Sequence, residues 1–322
     1  MFISSRFRLV SQRSYIMIQD FNIGDIVTAF VLLKQIEIKV APSGSRLALV
    51  LGDRSGEIDG ILWDNAEAIR DELAGAEVVK VKGQVGSYRQ KPQLTVEKIR
   101  SAARDEYNIE DLRRSSGKSV QELKDEYIDM VDALDNPSLK QLLVEFQNDA
   151  PTFELFLTKP AGKRFHHDYY TGLAQHSLSL ASLADLICQN YPDLDRDLLV
   201  CGALFHDIGK IKEFAGEVVY DYSDAGRLIG HITMGDHYIA GLIDKIEDFP
   251  DDLALKLRHM ILSHHGTGEH GAPVTPKTRE AFVLHFIDEI DSKLDAIDKI
   301  AEKTSEKWSE FIRPLETFLY LE

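Results

Sequence analysis

The chain has 322 residues, 44% of them hydrophobic and 28% charged, with a net charge of −16. That composition describes a folded globular protein with room for two or three domains, and excludes a disordered segment. No apolar run reaches the roughly 18 residues that cross a bilayer: Ile26 to Leu33 stops at eight, and the two cysteines, Cys188 and Cys201, sit inside apolar helical patterns, so neither a membrane helix nor a disulfide scaffold is expected.

Charge and histidine are unevenly distributed. Residues 1–104 hold 15 Lys/Arg and 12 Asp/Glu, a balance of +3, whereas the remainder holds 22 and 41, a balance of −19. All 11 histidines lie between His166 and His285. Two differently built parts follow. Free cysteines in apolar helices fit a reducing compartment, the cytoplasm. Residues 1–16 carry Arg6, Arg8 and Arg13 with four serines and no acid; they lack the apolar stretch of a secretory signal. Met17 opens a clean domain start, so this segment is expected to be a disordered extension or the product of a mis-assigned start codon.

From Ile26 to Ile99 short β-branched runs alternate with turn residues. Ile26–Val40 is predicted as a long strand, followed by a loop at 41–45, a strand at Arg46–Leu51, a tight turn at 52–56 and a strand at Glu57–Trp63. A short helix is predicted over Asn65–Ala74 with Asn65 as its cap, then a hairpin of Val78–Val85 and Gln93–Ile99. Three strands, a helix and two strands is the order of an OB-fold barrel, expected over residues 17–104. Such barrels bind single strands through a basic groove and aromatic stacking faces. The candidates here are Lys80, Lys82, Tyr88, Arg89 and Lys91, with Trp63 and Lys39 as outlying ones.

Residues 105–150 are charge-rich, with Leu123, Tyr127, Met130, Val131 and Leu134, then Leu139, Leu142, Leu143 and Phe146, at helical spacing. A helical linker of two helices parted at Asn136-Pro137 and packing on the next domain is predicted. From Pro151 onward helices are predicted over Leu173–Tyr191, Asp197–Asp207, Gly235–Ile246, Asp251–Leu262 and Thr278–Ile300. His206-Asp207 closes an apolar helix, where an unpaired carboxylate would be costly to bury, and His264-His265 closes another. Imidazoles and carboxylates at apolar helix ends make sense when a divalent cation gathers them, and a mixed N/O ligand set suits Mn²⁺, Fe²⁺ or Co²⁺.

The order His176, His206-Asp207, His231, His264-His265, Asp288 resembles the HD metal-dependent phosphohydrolase superfamily. The resemblance implies two divalent ions. One would be held by His176, His206, Asp207 and Asp288; the other would share Asp207 and take His231, His264 and His265. It places the last ligand at Asp288 and not Asp291, three residues on. Two such ions lower the pKa of a bridging water for attack on phosphorus, with Asp207 at the catalytic centre. Lys210, one turn past Asp207, is placed to hold a phosphate oxygen or the leaving group. Arg164 and His167, in Lys163-Arg-Phe-His-His167, are expected as phosphate contacts at the pocket mouth. His237, His259, His270 and His285 have no slot in the motif.

From about Met17 the chain resembles the YhaM-type 3′→5′ exoribonucleases, in which an OB-fold precedes an all-α HD domain, here residues 151–322. Ala203-Leu-Phe-His-Asp-Ile-Gly-Lys210, Gly172-Leu-Ala-Gln-His176 and Gly230-His-Ile-Thr-Met-Gly235 carry the likeness. It implies Mn²⁺-dependent trimming of single-stranded RNA, and in some members DNA, to mononucleotides, with homo-oligomers open and no membrane partner. Two alternatives stay open: an HD phosphodiesterase or phosphatase acting on a small nucleotide with a regulatory barrel, and a non-catalytic nucleic-acid-binding factor with a structural metal.

Overall fold

The computed structural model describes residues 16–41, 44–89, 91–113, 117–163, 166–216, 219–304 and 306–321. Arg164 and, apart from Ile16, the expected basic extension lie outside them. The described chain divides into two compact units, one from residues 16–113 together with Gly216 and Val219, and one from residues 117–215 and 220–321.

The first unit runs β1 (Ile26–Ala41), β2 (Gly44–Asp53), β3 (Gly56–Leu62), α1 (Ala66–Glu72), β4 (Val78–Tyr88), β5 (Lys91–Ser101) and the short α2 (Ile109–Leu112). Period-two alternation puts Val27, Ala29 and Val31, then Leu47, Leu49 and Leu51, then Val79, Val81, Leu94 and Val96 into one buried core. The long β1 pairs antiparallel with β4 over Ile26–Leu32 and with β2 from Leu32 onward, with an irregularity between Leu33 and Gln35. A parallel pairing of Asp59–Ile61 with Gln93–Thr95 closes the sheet as β1-β2-β3-β5-β4. Closure removes the open edges that a five-stranded sheet would otherwise expose. This is the OB-fold that the element order predicts.

One local expectation is corrected. Asn65 precedes α1 but makes no side-chain cap; it sits at φ 53°, and only its carbonyl engages the helix, accepting from Ile69 N–H. Asn tolerates the left-handed region, and that backbone role replaces the capping one.

The second unit begins with α3 (Val120–Asp132), α4 (Pro137–Asn148) and α5 (Ala150–Thr158). Ser119 and Glu122 form a reciprocal capping box on α3, and Asn136 Oδ1 accepts from Ser138 and Leu139 N–H at the start of α4, where Pro137 needs no donor. These helices are a wall of the helical core and not a tether: Tyr127, Phe146, Phe153, Phe156 and Phe205 meet at centroid distances of 4.9–6.1 Å. Burying each such ring contributes up to about 3 kcal/mol.

The remaining elements are α6 (Gly172–Asn190), α7 (Arg196–Phe205), α8 (Lys210–Glu213), a small hairpin of β6 (Phe214–Ala215) and β7 (Asp221–Tyr222), α9 (Asp224–Ile229), α10 (His231–Ile243), α11 (Asp251–Ser263) and α12 (Arg279–Lys303). The predicted helix over Asp197–Asp207 ends at Phe205, and His206–Gly209 form a tight turn into α8. Gly209 is required there, because a Cβ would overlap the carbonyl oxygen of His231. That close approach brings the start of α10 against the turn that carries His206 and Asp207.

Candidate metal centre

Five elements deliver seven side chains to one place. His176 comes from the second turn of α6, His206 and Asp207 from the turn after α7, His231 from the first residue of α10, His264 and His265 from the end of α11, and Asp288 from the middle of α12. His176, His206 and His264 are fully buried and Asp207 is 2% exposed. Apolar helices end here, so the polar groups are desolvated by the same packing that forms the core.

The orientation of the rings is fixed from behind. His176 Nδ1 lies 2.7 Å from Asp291 Oδ2, His206 Nδ1 2.8 Å from Ala203 O, His264 Nδ1 2.7 Å from Ile261 O, His265 Nδ1 2.8 Å from His270 O, and His231 Nδ1 3.0 Å from Glu213 Oε1. Carbonyls and carboxylates only accept, so each Nδ1 carries a proton, and a ring that carries no second proton turns the lone pair of Nε2 inward. Those Nε2 atoms meet acceptors. His176 Nε2 is 3.1 Å from His206 Nε2 and 3.2 Å from Asp288 Oδ1. Asp207 Oδ2 is 3.3 Å from His206 Nε2, while its Oδ1 is 3.4 Å from His231 Nε2 and 3.6 Å from His264 Nε2.

Acceptors facing acceptors in a buried pocket repel. Asp207 Oδ1, His231 Nε2 and His264 Nε2 are buried with no hydrogen-bond partner, at a cost of about 1–3 kcal/mol each. A cation removes that cost. Metal–ligand bonds of about 2.0–2.2 Å place two ligands of one ion roughly 3–4 Å apart, which is the spacing found. Among the described residues four overlapping groups could hold an ion, and two of them are built from these side chains, His176, His206 and Asp288 in one set and Asp207, His231, His264 and His265 in the other; the remaining two join His166 to His176 and Asp207, and His167 to His176 and Asp291. Asp207 turns one oxygen to each of the first two sets. The residues therefore fit a divalent-cation centre, and the imidazoles are held from behind in the manner of metal-binding histidines.

Electrostatics agree. Burial opposes ionisation of Asp207, but Lys210 and His206 hold it well below the ordinary carboxylate value. Asp288 is likewise held low, against burial, by His176 and His206. Burial pushes His265 down to about 3, aided by His264 and His231, and lowers His264. His176 is the exception: burial pushes it down, but Asp288 and Asp291 more than offset this and raise it to about 9.

Lys210, buried, places Nζ 2.5 Å from Asp207 Oδ2. Its ammonium is thus directed at the carboxylate and not at solvent. His167 does not line the pocket mouth as expected, and this is a correction. It is 6% exposed, with Nε2 2.7 Å from Asp291 Oδ2 and Nδ1 2.6 Å from the Tyr169 hydroxyl. Its backbone sits at φ 41°, and the Asp291 carboxylate and the Tyr169 hydroxyl occupy both ring nitrogens inside the protein. Its neighbour His166, to which the sequence assigns no role, instead comes within ligand range of His176 and Asp207. Asp291 and Glu213 are likewise partners of ligand rings that sequence reasoning missed.

Of the histidines without a motif slot, His237 is exposed, His259 Nε2 accepts from Lys277 N–H, His270 offers its carbonyl to His265, and His285 Nδ1 donates to His264 O.

On the barrel, Lys80 and Lys82 share a shallow groove with Thr28, Lys98 and Arg100 across β1, β4 and β5. Lys80 Nζ lies 4.9 Å from the centre of the Phe30 ring, and Lys82 pairs with Glu97 at 3.3 Å. Tyr88 is half exposed with the Arg89 guanidinium 5.3 Å from its ring centre, and Lys91 faces Tyr88 across the β4–β5 hairpin. Trp63 is half exposed under Arg46, and Lys39 is exposed beside Glu37. Lys98 and Arg100 extend the basic groove beyond the residues expected from sequence.

Residues 21–102 match the OB-fold nucleic acid binding domain family, and residues 173–293 the HD domain family. A solved second OB-fold domain of replication protein A from Methanococcus maripaludis aligns at 20% identity with a TM-score of 0.20, covering 26% of this chain and 90% of that one. The 3′-5′ exoribonuclease YhaM of Listeria welshimeri is 34% identical over 292 residues, covering 88% of this chain and 91% of its own length. The chain belongs to the YhaM family. The YhaM protein of Bacillus subtilis is also 34% identical, over 284 residues, covering 88% and 90%. In this YhaM-family chain the HD match encloses both ligand sets and Asp291, while His166 and His167 precede it. The HD domain makes the centre one for divalent metal, and the barrel is the nucleic-acid-binding part. Among the described residues no helix is long and apolar enough to cross a membrane.

Proposed function

We propose that the chain is a 3′→5′ exoribonuclease that hydrolyses single-stranded RNA, and DNA as a secondary substrate, to mononucleotides. The observation that carries this is Asp207, whose two oxygens face separate sets of inward-turned imidazoles. On this reading His176, His206, Asp207 and Asp288 hold one ion and Asp207, His231, His264 and His265 the second, with Mn²⁺ favoured over Fe²⁺ or Co²⁺. The bound ions supply acidified water and positive charge at the phosphorus.

The chain's own residues do the rest. Asp291, Ala203, Ile261, His270 and Glu213 fix five rings in the ligating tautomer, so no proton has to leave those positions when substrate arrives. Lys210 keeps Asp207 ionised and adds a fixed positive charge beside it for the phosphate and the leaving oxygen. Burial keeps His166, beside His176, as a neutral imidazole, with Lys210 adding to the effect. Lys80, Lys82, Tyr88, Arg89 and Lys91 hold the strand by charge and stacking. Arg164 belongs to the proposed phosphate contacts by sequence alone. The two free, buried thiols accord with a cytoplasmic setting.

The test uses 5′-labelled RNA with Mn²⁺. Wild type gives a ladder of products shortened from the 3′ end, and a blocked 3′ end or Asp207→Ala abolishes it. Turnover of a free nucleotide without any ladder would instead identify a small-nucleotide phosphodiesterase. Unchanged strand binding with no hydrolysis under any of Mn²⁺, Fe²⁺ or Co²⁺ would identify a binding factor.

A further inference from the structure

His167 is buried and engaged at every polar atom it has. Its N–H donates to Asp295 Oδ2 at 2.7 Å and its carbonyl accepts from Ala161 N–H at 3.0 Å, while Nδ1 meets the Tyr169 hydroxyl and Nε2 the Asp291 carboxylate. Both of these acids stand on α12. One turn further along, Lys299 Nζ lies 3.0 Å from Asp295 Oδ2 and 2.6 Å from Asp168 Oδ1. Asp288, Asp291, Asp295 and Lys299 follow one another at intervals of three and four residues, the spacing of one helix face. A polar stripe therefore runs from the ion site along α12, and the segment 167–169 is fastened to it.

That fastening holds against backbone strain. His167 at φ 41° and Thr171 at φ 71° are left-handed without being glycine, a state that persists only where the surroundings over-determine it. Thr171 is buried and leads directly into α6, the helix that carries His176. A Cβ on Gly172, the first residue of α6, would overlap the His167 carbonyl oxygen. What the arrangement secures is one atom pair, His167 Nε2 against Asp291. A carboxylate only accepts, and this one takes three donors. His176 Nδ1–H and His167 Nε2–H both reach Oδ2 at 2.7 Å, and the Ser179 hydroxyl reaches Oδ1. His176 and Ser179 share α6; the third donor comes from outside that helix.

We propose that His167 is a positioning residue of the metal centre: its Nε2–H holds the Asp291 carboxylate against His176 Nδ1 and so sets the direction in which His176 Nε2 faces the ion. Tyr169, His167, Asp291 and His176 are joined in sequence by contacts of 2.6–2.7 Å. Without His167, Asp291 Oδ2 keeps one donor of two, the carboxylate is free to turn about its Cβ–Cγ bond, and His176 tilts with it. Removing a direct partner of a ligand ring costs about 10–100-fold in metal affinity. His167 acts one contact further out, so its loss falls at the lower end of that range. This role rests on the centre holding a divalent ion and is independent of which phosphoester is cut.

Calorimetric titration of the chelator-stripped full chain with Mn²⁺ alone tests it. His167→Leu keeps bulk and removes both nitrogens; Mn²⁺ Kd should rise about tenfold with helical circular dichroism unchanged. His167→Gln puts an amide N–H where Nε2–H stood and should recover most of the loss. Leucine and glutamine meet the same backbone strain at φ 41°, so the difference between them reads the hydrogen bond, whereas a role for bulk alone would move both variants together. An unchanged Kd in His167→Leu, or a loss in His167→Gln as large as in His167→Leu, would overturn the positioning role. Should His167→Leu lose its helical signal, Tyr169→Phe releases the Nδ1 side of the ring and should raise Kd in the same direction; no rise there would also overturn it. A wild type that takes up no Mn²⁺ would overturn the metal centre itself, and the positioning role with it.

Discussion

Asp291 lies 2.7 Å from His176 Nδ1, on the far side of the ring from the cluster, while Asp288, one turn earlier on α12, stands 3.2 Å from Nε2. One helix thus grips both faces of a single imidazole. Ser179 and His167 share Asp291 and lock it in turn. Asp291→Asn keeps the shape but can present an amide donor to Nδ1, which moves the ring proton to Nε2. Metal affinity should fall by about 10–100-fold with the fold intact, as read by competition against a metal-sensitive dye. An unchanged affinity would remove Asp291 from this role.

Lys210 and Asp207 are a buried pair, 7% and 2% exposed at their side chains. Lys210→Met leaves a buried carboxylate facing inward lone pairs and should cost about 3–5 kcal/mol in chelator. Saturating Mn²⁺ should recover part of this, since the ion supplies the missing charge. Denaturant unfolding with and without EDTA gives both numbers. Equal losses in the two conditions would count against a cation at Asp207.

The raised titration of His176 sets a pH dependence for metal-free protein. Its folded value of about 9 exceeds its ordinary 6.5, so the charged ring stabilises the fold fully below pH 6.5. That stabilisation, about 3 kcal/mol at 1.4 kcal/mol per unit, is lost as pH rises from 6.5 through 9. Melting temperature in EDTA should therefore fall across this window, and His176→Gln should flatten the curve. With saturating Mn²⁺ the slope should shrink or reverse, because ion and proton compete for the same ring.

A Cβ at Gly209 would overlap the carbonyl of His231. Gly209→Ala should displace the start of α10, and with it His231 of the second set. Metal titration by calorimetry should then show weakened binding, whereas Gly241→Ala on the same helix, where a Cβ meets open space, should leave it unchanged.

The barrel predictions concern capture. Lys98→Glu, in the groove with Lys80 and Lys82, should raise KM with little change in kcat and reduce the salt slope of RNA binding by about 0.7 for each phosphate no longer neutralised. Tyr88→Ala should cost about 1–3 kcal/mol if a base stacks there. Fluorescence titrations at several salt concentrations separate the two effects.

The strands of the barrel were legible because burial on one face imposes a two-residue period that Val79, Val81, Leu94 and Val96 obey. His206-Asp207 and His264-His265 were legible because polar pairs closing apolar helices need a reason to be there, whereas His176, His231 and Asp288 were legible only through the resemblance to the HD superfamily. Their supports were not. Ala203 and Ile261 act through carbonyls that any residue carries, Glu213 reaches its ring across the fold with no spacing to betray it, and Asp291, three residues after Asp288, was weighed only as a rival ligand and not as the support of His176. His166 and His167 show the same limit more sharply. Adjacent identical residues have different surroundings, His167 between Asp291 and Tyr169 and His166 near His176 and Asp207, partners set by the folded chain that the letters HH do not encode.

The inward lone pairs also bear on the life of the protein in a cell. A chain that folds before it is loaded carries mutual repulsion at its centre, and each ion captured relieves some of it in proportion to the logarithm of free ion concentration. Scarcity would therefore do more than slow turnover of substrate: it would leave a larger fraction of copies open to proteolysis, so that the supply of the ion sets the abundance of the enzyme as well as its rate.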